Sequence, residues 1–295
     1  MKHPTLANKG MYYKLLICSF MIALASIPAL AQKKNGGFTQ EVGLQLYSLR
    51  HEFPKDVEGT LAKIKEMGIK QIEGGGTYKM SQEDYKALLD KYGLQMASMG
   101  FGYERFNEDI DGVIRDTKAM GAKYVMCAWI PHKGDNFTIE DTKKAAQDFN
   151  KWGEKLKANG IQFCYHTHGY EFRPYEDGTL FDYLVKNTNP EHVSYEMDVY
   201  WVSHPGQDPL KLLKKYPNRF SMMHLKDMKK GVKGDLTGHS PDEWNVPIGT
   251  GQINYKTLLP EAQRLGVKYY FIEDEHPNAI EQIPVSLKYL KSLAK

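Results

Sequence analysis

Apolar residues recur along the chain in two alternating rhythms. Dense apolar runs stand at VGLQLYS (42–48), IKQIEGG (69–75), LQMASMG (94–100), KYVMCAW (123–129), IQFCYHTH (161–168), VSYEMDVY (193–200), FSMMHLKD (220–227) and KYYFIEDE (268–275). Between them lie segments such as VEGTLAKIKEMG, QEDYKALLDKYG, IEDTKKAAQDFNKWGEKLKANG and YKTLLPEAQRLG, whose apolar positions return every three or four residues. The first rhythm predicts strands and the second predicts amphipathic helices. Gly68, Gly93, Gly121, Gly160 and Gly266 fall where the helices should stop, as expected of the residue that takes a left-handed cap without steric cost. Strands alternating with helices imply a parallel sheet, and eight of them imply closure into a single (β/α)8 TIM barrel over residues 41–295. An open doubly wound sheet is the alternative, but no Gly-rich dinucleotide fingerprint follows the first strand and no break in composition marks a second domain. The longest interval, between Asp227 and Lys268, contains GVKGDLTGHSPDEWNVPIGTGQ before its helix. A loop of that length after the seventh strand could cover the barrel mouth.

The N-terminus has a different character. Lys9 and Lys14 precede the apolar run LLICSFMIALASIPAL, and Ala29-Leu30-Ala31 offers small residues at a cleavage position. This reads as a secretory signal peptide over residues 1–31, followed by a linker over 32–40, and predicts an exported, periplasmic protein. A single membrane anchor is the competing reading, but the run is short and Pro28 interrupts it, so no stable membrane insertion is expected after cleavage. Of the 39 Lys and Arg residues, Lys2, Lys9 and Lys14 leave with the leader, and the 36 that remain equal the 36 Asp and Glu. A chain without basic surplus is poorly equipped to neutralise phosphates, so nucleic acid is not an expected partner. Cys127 and Cys164 each sit inside an apolar run, a setting for packed thiols rather than for a disulfide framework. Assembly into a homo-oligomer stays open.

Chemistry concentrates at the ends of the last four predicted strands, YHTHGYEF, YEMDVYW, MHLKDM and FIEDEHP. In a barrel of this type the active site lies at the C-terminal ends of the strands. Because strand residues alternate sides, Glu196 and Asp198 share a face, as do His224 and Lys226, and Glu273 and Glu275. Converging carboxylates and imidazoles favour one divalent cation with mixed oxygen and nitrogen ligands, such as manganese, cobalt, zinc or magnesium. The expected ligands are Glu171, Asp198, His224 and Glu273. Any one of these alone is more often a cap or a hydrogen-bonding residue, but four strand ends carrying such groups together point to a shared ion.

These segments resemble the xylose isomerase-like TIM-barrel superfamily, also described as AP endonuclease family 2 or the sugar phosphate isomerase/epimerase group. The resemblance runs from VGLQLYSLR to FIEDEHP, and GLQLYS, YHTHGYEF and DVYW…HLKDM…GTGQI look most like its exported Bacteroidetes-type members. It implies a single metal held by Glu, Asp, His and Glu, with Asp198 in EMDVYW, His224 in MHLKD and Glu273 in FIEDE. The first ligand departs from the pattern. Where sugar epimerases carry a Glu at the strand end, this chain has His166 and His168, so Glu171 would swing in from the loop or His166 would take its place.

His168 is then the expected general base or acid, a role suited to imidazole, with Glu73 and Lys226 as further catalytic candidates. Gln45, Tyr47, His166 and Trp201 are expected to touch substrate, and Trp129 and Trp244 offer further ring faces. Asp227, Glu275 and His276 are expected to brace the ligands. A small-molecule carbohydrate is the expected partner. The reading that follows is a metal-dependent sugar isomerase or epimerase that abstracts a proton beside a carbonyl. A 3-keto-glycoside lyase working by β-elimination, and a carbohydrate-binding protein without catalysis, are the alternatives. DNA-repair endonuclease chemistry would need more ligands and a phosphate-binding surface.

Overall fold

Each of the eight predicted runs forms a strand in the computed structural model, which describes residues 37–294. The predicted signal peptide and most of the linker lie outside the described residues. The strands are β1 (Val42–Gln45), β2 (Gln71–Gly74), β3 (Gln95–Gly100), β4 (Tyr124–Cys127), β5 (Gln162–His166), β6 (Val193–Asp198), β7 (Phe220–Leu225) and β8 (Tyr269–Ile272). All neighbours pair in parallel, and β8 pairs back onto β1 to close the barrel.

Helices fill the crossovers, and their ends obey local chemistry. Asp56, Ser81 and Asp109 accept first-turn N–H groups, while Thr138 and Thr179 form reciprocal boxes with Asp141 and Asp182. Gly93 (φ 66°) and Gly121 (φ 75°) end their helices in the left-handed conformation. Apolar helix faces and the outward faces of the strands make one continuous core, and a smaller cluster of Tyr124, Met126, Cys164, Met222 and Phe271 packs separately from it. Gly43 is there because any side chain would collide: a Cβ would lie 2.6 Å from the Gln71 carbonyl and 2.7 Å from the Phe271 ring. Cys127 and Cys164 are buried free thiols.

Register sets the floor of the mouth. Gln45 lies beside Glu73, His166 beside Glu196, and Asp198 beside His224, while the N–H of Glu73's counterpart on the last strand end, Glu273, donates to the Leu225 carbonyl at 3.1 Å. The polar strand ends are therefore delivered to one end of the barrel. The long loop after β7 folds back on itself through a two-residue ribbon, Asp227–Met228 against Asn245–Val246. Among the described residues no helix is long and apolar enough to cross a membrane.

Candidate metal centre

His224 is the hub of the mouth. Its Nδ1 lies 3.2 Å from Glu273 Oε2 and 3.9 Å from Asp198 Oδ2, and its Nε2 lies 2.7 Å from Glu73 Oε1 and 3.2 Å from Glu196 Oε1. Four buried carboxyl groups, those of Glu73, Glu196, Asp198 and Glu273, crowd around this one imidazole. Burial works against a charged His224, but the Glu196 and Glu273 carboxylates outweigh it and raise its pKa well above the usual imidazole range, favouring a proton that a bound cation would displace. Glu196 is pushed up to about 8 by burial and by Glu73 beside it. Burial also raises Asp198. Glu273 is the exception: burial opposes its charge, but Lys226 and His224 hold it well below the ordinary carboxylate range.

The atoms a cation would need are present. His166, Asp198, His224 and Glu273, from β5, β6, β7 and the end of β8, each offer one ligand atom, and the four atoms lie within 4.8 Å of one another. Asp198 Oδ1 is committed to the N–H groups of Tyr200 and Trp201 at 2.8 and 3.0 Å, where it caps the short helix Val199–Ser203. Its Oδ2 has no hydrogen-bond partner, although it is buried 3.4 Å from His166 Nε2. Both ring nitrogens of His166 are likewise buried without a hydrogen bond. Burial lowers the His166 pKa to about 3, with His224 adding to the effect, so its ring is neutral, the form that ligates metal. Unpartnered buried oxygen and nitrogen atoms are costly, and two imidazoles with two carboxylates form a donor set suited to a divalent ion. The residues fit the group.

Glu171 does not join them. The chain turns at Gly169 (φ 96°) into the 3-10 turn Tyr170–Phe172, which sends the carboxylate back to accept the Tyr165 hydroxyl and the His168 N–H, the latter at 2.8 Å. Burial pushes Glu171 up to about 7. His166 is the residue that brings the fourth candidate ligand atom into the cluster.

Of the other expected site residues, Gln45, Tyr47, His166, His168 and Trp201 line a cavity of about 670 Å³ whose floor includes His224 and Glu273. His168 stacks on Trp201 with ring centroids 4.9 Å apart, and its Nδ1 has no partner. Burial, His166 and Lys226 bring its pKa down to about 3. Glu73 and Lys226 are placed differently from His168, the other catalytic candidate, since neither belongs to the cavity wall. Glu73 is fully buried, takes the Gln45 amide at 2.6 Å and faces His224. Lys226 is spent on Glu275 at 2.8 Å and Glu273 at 3.6 Å, with Tyr200 and Trp201 rings each 5.2 Å from its ammonium. Asp227 braces the loop rather than the ligands, accepting from the N–H groups of Met228, Gly249, Gly251 and Ile253. His276 accepts from the Asn278 N–H, again within its own loop.

Sequence reasoning gave no role to Glu196, although its sharing a face with Asp198 was the available signal. The loop after β7 does reach the mouth, where Gly238, His239, Ser240 and Asp242 join the cavity wall. It is fastened there by Ser240 to the Tyr200 hydroxyl at 2.8 Å and by Asp242 to Arg50 at 2.9 Å. A second depression of about 700 Å³, between Ser203–Leu210 and Gln252–Leu258, contains none of the clustered groups.

Comparison with known proteins agrees with this architecture. The chain is 28% identical over 265 residues to an inosose dehydratase of Mesomycoplasma hyopneumoniae, covering 79% of this chain and 87% of that protein. A crystal structure of a sugar phosphate isomerase/epimerase from Parabacteroides distasonis superposes with a TM-score of 0.69 at 26% identity, covering 90% of this chain and 96% of that one. An IolI protein solved with a zinc atom shares the fold, with a TM-score of 0.67 at 14% identity over 86% of this chain and 98% of that one. The model of the xylose isomerase-like TIM barrel family matches residues 61–293, and the chain belongs to that family.

Proposed function

We propose that this chain is a divalent-metal-dependent enzyme that removes a proton from a carbon beside a carbonyl group of a carbohydrate or related polyol. The observation that carries this reading is the buried meeting of His166, Asp198, His224 and Glu273 at the floor of an open cavity. These four would hold the ion, which when bound supplies positive charge to oxygen atoms that become negative as the proton leaves. His168 is the proposed base. Its ring is neutral, its Nδ1 is free, and Trp201 on one side and Glu171 on its backbone N–H hold it at the cavity wall. Gln45 orients Glu73, which in turn fixes the His224 ring through Nε2. The signal-like leader supports action outside the cytoplasm.

Two outcomes share that first step. Loss of a substituent from the next carbon is elimination, supported by the activity named for the inosose dehydratase relative. Return of the proton at another position is isomerisation or epimerisation, supported by the description of the Parabacteroides distasonis relative. The test is to incubate metal-loaded protein in deuterated water with a 3-keto-glucoside and, separately, with free ketoses. Release of the aglycone marks elimination. Deuterium in recovered sugar without release marks isomerisation. Neither event, with sugar affinity retained, leaves a binding protein and ends the enzymatic reading.

A further inference from the structure

We infer that the outer half of the cavity is a second subsite, built for an uncharged ring attached to the sugar held at the floor, so that the substrate class is a neutral glycoside rather than a lone or phosphorylated monosaccharide. This rests on the carbohydrate reading of the floor and adds to it the identity of the group beyond.

The cavity measures about 670 Å³, within the range of about 300–1,000 Å³ that takes drug-sized ligands. Its rim comprises Tyr47, Arg50, Pro54, Gly75, Gly76 and Tyr78. Tyr47 is 54% exposed, and among the described residues no other Phe, Tyr or Trp is exposed. Its main chain is anchored, the backbone N–H donating to Gln45 Oε1 at 3.1 Å, and its ring is braced by the Arg50 guanidinium 4.7 Å from the centroid. An exposed yet tethered ring is a stacking platform.

The loop after β2 contributes space. Gly75 tolerates no side chain, since a Cβ would lie 2.6 Å from the Gly100 carbonyl, while a Cβ on Gly76 would meet nothing within 4 Å. The loop then passes through Tyr78 (φ 53°) and Lys79 (φ 69°), left-handed conformations that cost non-glycine residues free energy and concentrate at functional sites. Tyr78 is kept there by stacking on Phe53, with centroids 4.1 Å apart and planes 11° from parallel.

Charge selects against an anion. The rim's guanidinium is already committed to Asp242 at 2.9 Å and to the Glu275 carbonyl at 2.7 Å. The carboxylates of Asp242, Glu273 and Glu275 also line the cavity. A phosphate would meet these acids without a free Lys or Arg to offset them.

Calorimetry on the metal-loaded full chain tests this with methyl β-glucoside, phenyl β-glucoside, glucose and glucose 6-phosphate. Phenyl glucoside should bind at least about fivefold more tightly than methyl glucoside, on the scale of one aromatic stack. Tyr47→Ala should bring that ratio close to one. Gly76→Leu, at a position with room for a side chain, should also lower the ratio, which guards against a folding defect in either variant alone. Glucose 6-phosphate should bind no better than glucose. Equal affinity for the two glucosides, a ratio unchanged in both variants, or preference for the phosphate would overturn the subsite while leaving the sugar-binding floor intact. No binding of any sugar would overturn the carbohydrate reading itself, and the subsite with it.

Discussion

The two halves of the barrel end differently. Strands β1–β4 finish in Gln45, in Glu73 and Gly74, in Gly100, and in a thiol that burial pushes up to about 12 at Cys127. Strands β5–β8 finish in His166, Asp198, His224 and Glu273, with Glu196 one repeat below Asp198 and Lys226 just beyond His224. One half supplies space and backbone, as in the Gly74–Gly76 loop, and the other supplies charge. The segregation has a physical reason. A buried carboxylate is tolerated only beside a compensating group, so once His224 is surrounded, neighbouring strands carry the partners. Deep in the barrel Glu73 crosses between halves to reach His224, as Arg50 does at the rim to reach Asp242.

The largest expected effect breaks the ionic half. Asp198→Asn keeps the oxygen that caps Val199–Ser203 but weakens the ligand, and should lower kcat/KM by at least about 10³-fold. Elemental analysis should show bound metal falling from one equivalent per chain toward none. A full equivalent retained in Asp198→Asn would remove the proposed centre. Next come the groups behind the ligands. Glu73→Gln and Glu196→Gln should each weaken metal affinity by about 10–100-fold, the usual cost of losing a group that orients a ligand. Glu171→Gln, by contrast, should leave metal content unchanged and lower kcat through His168. If Glu171→Gln instead empties the site, His166 is not the fourth ligand.

The fold was legible because both periods are strong and the glycine stops fall between them. So were Asp198, His224 and Glu273, whose strand parity puts them inward at the ends of consecutive strands. Depth was not legible. Glu196 shares the face of Asp198, but two strand residues amount to about 6–7 Å, enough to place it under the ligand cluster. Glu73 likewise faces inward yet sits against Gln45 and His224 rather than at the cavity. Glu171 was out of reach for another reason: its direction depends on the turn that starts at Gly169, and nothing in the order of residues says that Tyr165 and the His168 N–H will capture the carboxylate.

A smaller effect lies away from both halves, on the outer helix Leu180–Lys186. Asp182 closes the capping box with Thr179 and pairs with Lys215 at 2.7 Å. Burial acts to raise its pKa, but Lys215, the Tyr216 hydroxyl and the Thr179 N–H outweigh it and hold the carboxyl below its usual range. A folded value below the unfolded one means that the stabilisation is complete above the unfolded pKa near about 3.9 and fades as pH falls through the folded value. Asp182→Asn should cost about 1–2 kcal/mol at neutral pH and reduce the loss of stability on acidification, as followed by urea unfolding between pH 7 and pH 3. An unchanged acid slope would show that Asp182 does not carry it.

The smallest expected effect tests the spacious half directly. Ser98 on β3 is fully buried, and its hydroxyl has no hydrogen-bond partner. Removing a buried polar atom that is unsatisfied relieves a desolvation cost of about 1–3 kcal/mol at most, while the small void it leaves takes some of that back. Ser98→Ala should therefore leave Tm unchanged or raised by a few degrees, and kcat/KM within about twofold of the parent, because the hydroxyl orders nothing in the ionic half. A drop in kcat/KM beyond about tenfold with Tm maintained would mean that Ser98 touches the reacting sugar. The division between a half that makes room and a half that does chemistry would then have to be redrawn through β3.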